Sequence, residues 1–328
     1  MRLFDIFRSK KKLSAPWSKY YTKEDLNVHI PDISMYEQVR LSSIKYPSNT
    51  AIQYMGRKFN YTNIMGKIDN LANGFASMGI RKGDIVTILL PNVPECLLCL
   101  YALNKLGALA NMTHPLSAEE EIKQTLESTN SRFLIIYDAQ YSKIKNFIKD
   151  LNMKKVIFVS PSNSLGCIKG FLYDFSQRSK FEHHPKDKLF VNYKDFYKYS
   201  IKQRDVFPPR FGKNTPAVIL HSGGTSGTPK NVVIQNRAFI FGARGEKIDL
   251  IRLTPGDSAL AIMPNFHGFG LSVLMHTPLA LGCSTILVPK FDAKKFDTLF
   301  KKTTLSHPTV YLYIFGVCHV TKRQRCFP

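Results

Sequence analysis

The sequence predicts an α/β protein with two doubly wound, mainly parallel sheet units. Three observations predict it. Short, nearly continuous apolar runs at 85–90, 133–137, 156–159, 259–263 and 285–288 have strand length, as strands buried on both faces do. Between them, apolar residues return at helical spacing, as Ile64, Ile68, Leu71, Phe75 and Met78 do. Strands alternating with helices in this way imply a parallel sheet covered on both faces. A third signal is one loop dense in glycine and hydroxyl residues, set between two strand patterns at 217–220 and 231–235.

The elements follow in order. Residues 1–29 form a basic arm without the apolar core of a signal peptide. Residues 30–160 form the first α/β unit. Its first helix closes at Gly79, a strand follows at 85–90, and a helix runs from 94 to 106 and ends at Gly107. Ser117 with Glu120 three residues on reads as a capping box for the next helix. Residues 161–213 read as an irregular basic connector; across 141–213 there are 16 Lys and Arg against 6 Asp and Glu. Residues 214–302 form the second unit, with helices expected at 271–281 and 293–302. Residues 303–328 are an atypical tail without clear periodicity. No internal repeat is evident.

Composition limits the function classes. The chain of 328 residues carries a net charge of +22, with 44% hydrophobic residues. No run of 18 apolar residues is present, so no membrane-spanning helix is expected. The surplus charge is lysine-rich and spread along the chain, and no zinc-finger, RRM, KH or helix-turn-helix signature accompanies it. No nucleic-acid partner is therefore expected. Attraction to acidic ligands or lipid head groups accounts for the charge better, which leaves peripheral membrane contact open. The six cysteines make no disulfide or zinc framework: Cys96 and Cys99 lie inside an apolar helical run. Reduced thiols, a cytoplasmic location and a possible station at the inner membrane face follow.

The loop is the most informative segment. Ser222, Gly223, Gly224, Thr225, Ser226, Gly227, Thr228, Pro229 and Lys230 combine three glycines, four hydroxyls and a lysine. Glycines let backbone N–H groups converge on an anion, and hydroxyls add donors. Lys230 adds a mobile cation. A Walker-type loop would run from its lysine into a helix, whereas a strand pattern follows here. The prediction is a strand–loop–strand hairpin over a polyphosphate, and a plain surface turn is its bland alternative.

The stretch from Ala217 to Phe239 resembles the signature loop of the adenylate-forming enzymes: acyl-CoA synthetases, luciferases and peptide-synthetase adenylation domains. The residue after the lysine, commonly glycine in that family, is Asn231 here. Tyr61-Thr62, the segment Leu90-Pro91-Asn92-Val93-Pro94-Glu95, Leu106-Gly107-Ala108 and Asn111 to Pro115 are similar to its first subdomain. Met263-Pro264-Asn265-Phe266-His267-Gly268-Phe269-Gly270 resembles its second signature, and the likeness is strongest to bacterial long-chain fatty acyl-CoA synthetases.

The resemblance implies the N-terminal large domain of that fold, with the second subdomain incomplete. It implies ATP, Mg2+ and coenzyme A as cofactors, and a fatty acid or other carboxylate as substrate. The acid attacks the α-phosphate of ATP to give acyl-adenylate and pyrophosphate, and CoA then displaces AMP. By the same resemblance, residues Ser222 to Thr228 with Lys230 hold the phosphates, Lys230 neutralises departing pyrophosphate, and His267 borders the acyl and adenylate pocket and gates or orients the carboxylate. Phe266 and Phe269 line the acyl tunnel or simply pack.

After Lys302 the pattern is expected to break. The family's Tyr-Gly-x-Thr-Glu segment, ribose-binding aspartate, hinge and C-terminal lysine are not found in this sequence. The chain thus reads as a truncated acyl-CoA synthetase, expected to be inactive alone. A catalytically dead remnant that at most binds nucleotide phosphates is the alternative, and a basic nucleic-acid or membrane-surface protein is the third reading.

Overall fold

The computed structural model describes residues 29–166, 185–222, 230–243 and 253–292 as continuous stretches, with scattered residues elsewhere. Helix α1 spans Met35–Lys45 and is capped by Ser34, whose hydroxyl accepts from the Glu37 N–H. Strands β1 (Thr50–Tyr54) and β2 (Arg57–Asn60) form a hairpin. Its two-residue turn, Met55 and Gly56, has φ of 50° and 85°, the left-handed pair a tight hairpin needs. Helix α2 (Tyr61–Ser77) starts on Asn60, which caps the Asn63 N–H. Then come β3 (Ile85–Leu89), α3 (Pro94–Lys105), β4 (Leu109–Met112), α4 (Glu119–Ser128), β5 (Phe133–Tyr137) and β6 (Lys155–Val159). The remaining elements are β7 (Phe190–Asn192), α5 (Tyr193–Ser200), β8 (Pro216–Ser222), β9 (Lys230–Gln235), α6 (Asn236–Ala243), β10 (Ser258–Ala261), a π-helical segment at Gly270–His276, α7 (Thr277–Ala280) and β11 (Ser284–Leu287).

Two sheets result. A seven-stranded sheet has the order β7-β6-β5-β3-β4-β8-β9, parallel except for the β8–β9 hairpin. A four-stranded sheet has the order β10-β11-β1-β2, with only β2 antiparallel. The α/β class and mainly parallel pairing agree with the sequence expectation.

The sheets do not follow the expected division at residue 213. The hairpin of 216–235 extends the sheet built from 85–192, and the early hairpin of 50–60 completes the sheet of 258–287. Parallel neighbours are chosen by long-range burial, so sequence order does not dictate sheet membership. The connector also needs correction. It contributes edge strand β7, paired with β6, and helix α5, whose Phe196 and Tyr193 are buried. The capping box moves by one residue. Ala118 is the cap, its N–H donates to Glu121 at 3.1 Å, and the other half of the box is lost because alanine has no acceptor. The helix expected at 271–281 starts as a π-helical segment, and the one at 293–302 lies outside the described residues, as does the tail.

Helix α3 sits at the centre. All twelve of its residues are buried, and its polar side chains are paired: Glu95 accepts from Ser164, Asn104 meets Asn236 and Lys105 meets Asp69. Cys96 and Cys99 are free thiols within it, and burial raises the pKa of both. Side chains from the two sheets' helices interlock around it. Tyr61 Oη donates toward the carbonyls of Leu279 and Cys283, at 2.9 and 2.7 Å. Asn236 Oδ1 accepts from the Met35 N–H and from Asn104 Nδ2, both at 2.9 Å. His276 lies between Tyr101 and Gln38. Among the described residues no helix is long and apolar enough to cross a membrane.

Candidate functional site at the carboxyl ends of the strands

The hairpin places Ser222 and Lys230 directly opposite each other as the last cross-strand pair of β8 and β9. Both are exposed. Gly223, Gly224, Thr225, Ser226, Gly227 and Thr228 lie outside the described residues. The strand–loop–strand arrangement expected from the sequence is present at both ends of the loop. It arises because β8 is a buried apolar strand (Ala217 to Leu220) and β9 is a β-branched outer strand.

A second loop packs against it. After β10 the chain turns at Pro264, whose carbonyl accepts from the His267 N–H at 3.1 Å. Gly268 lies so close to β8 that a Cβ there would touch Leu220 at 3.6 Å. His267 therefore borders the end of the strand that leads into Ser222. Its side chain is exposed, and Nδ1 accepts from the Phe269 N–H at 3.3 Å, so the hydrogen of the neutral ring sits on Nε2. Phe266, one residue earlier, packs on the His114 ring with centroids 4.4 Å apart. Phe266 and Phe269 are half-buried and pack on the main core.

A third loop, after β3, locks the second in place. Asn92 Nδ2 donates to the carbonyls of Ala261 and Met263, both at 3.0 Å. Its Oδ1 accepts from the Asn265 N–H at 2.9 Å, while Asn265 Nδ2 donates back to the Leu90 carbonyl at 3.0 Å. Loops following β3, β4, β8 and β10 thus meet at the carboxyl ends of their strands, where open α/β sheets bind ligands.

Local sequence pattern assigns no site role to His221, His114 or the Asn92–Asn265 pair. His221 is half-buried beside Ser222, and its Nε2 lies 2.8 Å from Asn111 Oδ1. Burial holds the His221 imidazole pKa below its ordinary value, opposed in part by a hydrogen bond with Asn231. One signal pointed to it: Thr87 and Asn111 are polar residues inside otherwise apolar strands, and both are fully buried. Among the described residues, no group of three or more His, Cys, Asp or Glu is placed to hold a metal.

Known proteins resemble this chain in sequence and in fold. The family model described as "AMP-binding enzyme" matches residues 40–316, which runs past Lys302. A long-chain-fatty-acid–CoA ligase of Bacillus subtilis is 26% identical over 322 residues, covering 94% of this chain and 56% of that protein. An indoleacetate–CoA ligase of Aromatoleum aromaticum is 28% identical over 257 residues, covering 77% and 45%. In fold, the chain is similar to an anthranilate CoA ligase bound to anthranoyl-AMP, with a TM-score of 0.68 and 16% identity, covering 84% and 48%. It is also similar to a long-chain-fatty-acid-CoA ligase from Archaeoglobus fulgidus, with a TM-score of 0.65 and 18% identity, covering 81% and 49%. The chain spans about half the length of these proteins. With a match across residues 40–316, this chain belongs to the AMP-binding enzyme family.

Proposed function

We propose that this chain carries the ATP-phosphate and acyl-facing half of an enzyme that activates a carboxylic acid. The product is an acyl-adenylate, whose acyl group then passes to the coenzyme A thiol as a thioester with release of AMP. The observation that carries the proposal is the opposition of Ser222 and Lys230 at the mouth of the hairpin, with the His267 loop packed against the same strand end. An exposed ammonium and hydroxyl at the base of a glycine-rich loop fit the β- and γ-phosphates of ATP. Lys230 holds their charge and stabilises pyrophosphate as it leaves; Ser222 to Thr228 supply neutral donors. Phosphoryl chemistry of this kind depends mainly on positioning and charge stabilisation.

His267 presents Nε2–H beside the same end and orients the carboxylate toward the α-phosphate. A long-chain fatty acid is the proposed substrate, supported by the likeness to the Bacillus subtilis ligase. Mg2+ would accompany ATP by family resemblance, shielding the charge of the phosphates that Lys230 also faces.

Acid-dependent ATP–pyrophosphate exchange, run with palmitate and with an aryl acid, tests the proposal. Exchange with palmitate supports the full reading. Exchange only with the aryl acid keeps adenylation and overturns the fatty substrate. ATP binding without exchange, seen by calorimetry, supports the phosphate-binding alternative. Absence of ATP binding removes both.

A further inference from the structure

The phosphate loop has two bases, and each carries a polar side chain tied to another part of the fold. His221 on β8 and Asn231 on β9 face each other across the hairpin, one pair inward of Ser222 and Lys230. On the β8 side, His221 Nε2 donates to Asn111 Oδ1 at 2.8 Å and lies 3.5 Å from Thr113 Oγ1. Asn111 Nδ2 then donates to Thr87 Oγ1 at 3.0 Å. Because Asn111 turns its amide nitrogen to Thr87, its carbonyl faces the ring, and the imidazole carries its hydrogen on Nε2. Thr87 and Asn111 are adjacent in the register of β3 and β4, so this chain of bonds crosses three neighbouring strands. On the β9 side, Asn231 Nδ2 donates to Ser128 Oγ, the last residue of α4, at 3.2 Å.

Burying an amide and a hydroxyl inside a parallel sheet gains little stability even when every bond is made. Apolar residues there would pack as well, so the network needs a reason of another kind. Its position supplies one. It starts on the rigid central strands and ends on the residue next to Ser222, while the Ser128 bond ends on the residue next to Lys230. Glycine, common in the family after the lysine, has no side chain with which to make the second tie.

We propose that His221 and Asn231 are a clasp: positioning residues that anchor the two bases of the loop, through Asn111 and Ser128, and so set the separation of Ser222 and Lys230. This deepens the phosphate-binding role argued above and rests on it. Neither residue touches phosphate. Their effect is preorganisation, since a loop held at both ends loses less freedom when the anion arrives.

The test uses the full chain with His221→Phe, Asn231→Gly, their double variant and His221→Gln, which keeps a donor within reach of Asn111. Amide hydrogen exchange over 219–222 and 230–233 is measured without ligand, and affinity for ATP and for inorganic pyrophosphate by calorimetry. His221→Phe and Asn231→Gly are expected to speed exchange at the hairpin mouth and weaken both affinities about fivefold, with a double-variant loss smaller than the product of the two. His221→Gln should restore most of the affinity. Unchanged exchange in both single variants overturns the clasp whatever the affinities do. Equal affinity per folded molecule, with only a lowered Tm, also overturns it. Asn231 is exposed, so its variant remains informative if His221→Phe folds poorly. If the wild-type chain binds neither ATP nor pyrophosphate, the phosphate reading falls. Faster exchange in the variants would then still establish the anchoring.

Discussion

Asn92 and Asn265 bind each other's loops in both directions. Asn92 Oδ1 accepts the Asn265 N–H at 2.9 Å, and Asn265 Nδ2 donates to the Leu90 carbonyl at 3.0 Å, two residues before Asn92. Both side chains are buried, and through them the loop after β3 of the large sheet holds the loop after β10 of the small one. The position of His267 depends on that lock.

Asn92→Ala should therefore cost about 2–3 kcal/mol, because it strands the Asn265 N–H and two carbonyls out of reach of water. Asn265→Ala should cost less, since its own N–H bond survives. Urea denaturation of both singles and the double variant measures the coupling. Losses that simply add would show that the two loops are held independently.

Gly270→Ala should be severe. A Cβ at this position would lie 2.2 Å from the Pro264 carbonyl oxygen and 2.8 Å from that of Met263, both backbone atoms. The loop that carries His267 must shift or the fold must loosen, at about 2–4 kcal/mol. A thermal melt checks it: an unchanged Tm would mean that the turn from 263 to 270 adapts freely.

His276 should make the fold sensitive to acid. Its ring is fully buried, with Nε2–H donating to Gln38 Oε1 at 2.9 Å and Nδ1 accepting from Tyr101 at 3.0 Å. Burial lowers its pKa from 6.5 to about 3. The folded form therefore binds fewer protons than the unfolded chain. The stability tied to this residue is complete above pH 6.5 and is lost progressively as pH falls toward 3. His276→Gln should flatten that part of the pH–Tm profile while lowering Tm at neutral pH. A profile with unchanged slope would place the acid sensitivity elsewhere.

Lys230→Ala tests the phosphate role at a position where folding should not interfere. The side chain is exposed, so stability should stay within about 0.5 kcal/mol of the parent. ATP and pyrophosphate affinity should fall about tenfold or more, the loss of one charge-assisted contact. Unchanged affinity for both would remove Lys230 from the site.

Much of the architecture was legible because it is written in local signals. The run Ile85 to Leu89 announces a central strand since both of its faces are buried, and Ala217 to Leu220 does the same before the loop. The hairpin follows from a glycine-rich segment between two strand patterns, and its two ends are where that pattern put them. The one-residue slip at Ala118 shows the limit of such signals: Ser117 is the better capping residue, yet α4 starts one residue later, with Ala118 as its cap.

The sequence by itself determined the α/β class, the central strands, the glycine-rich hairpin and the family, because periodicity and loop composition depend on residues close together in the chain. Strands β1, β2 and β7 and helix α5 carried no such signal. Only the tertiary structure decided sheet membership: β1 and β2 beside β11, and β8 and β9 beside β4. It also decided which polar residues work together. Asn92 with Asn265 and His221 with Asn111 are separated by 173 and 110 residues, and nothing local in either partner names the other. Parallel pairing and buried hydrogen bonds are chosen when distant segments exclude water together, so they become visible only once the chain has closed on itself.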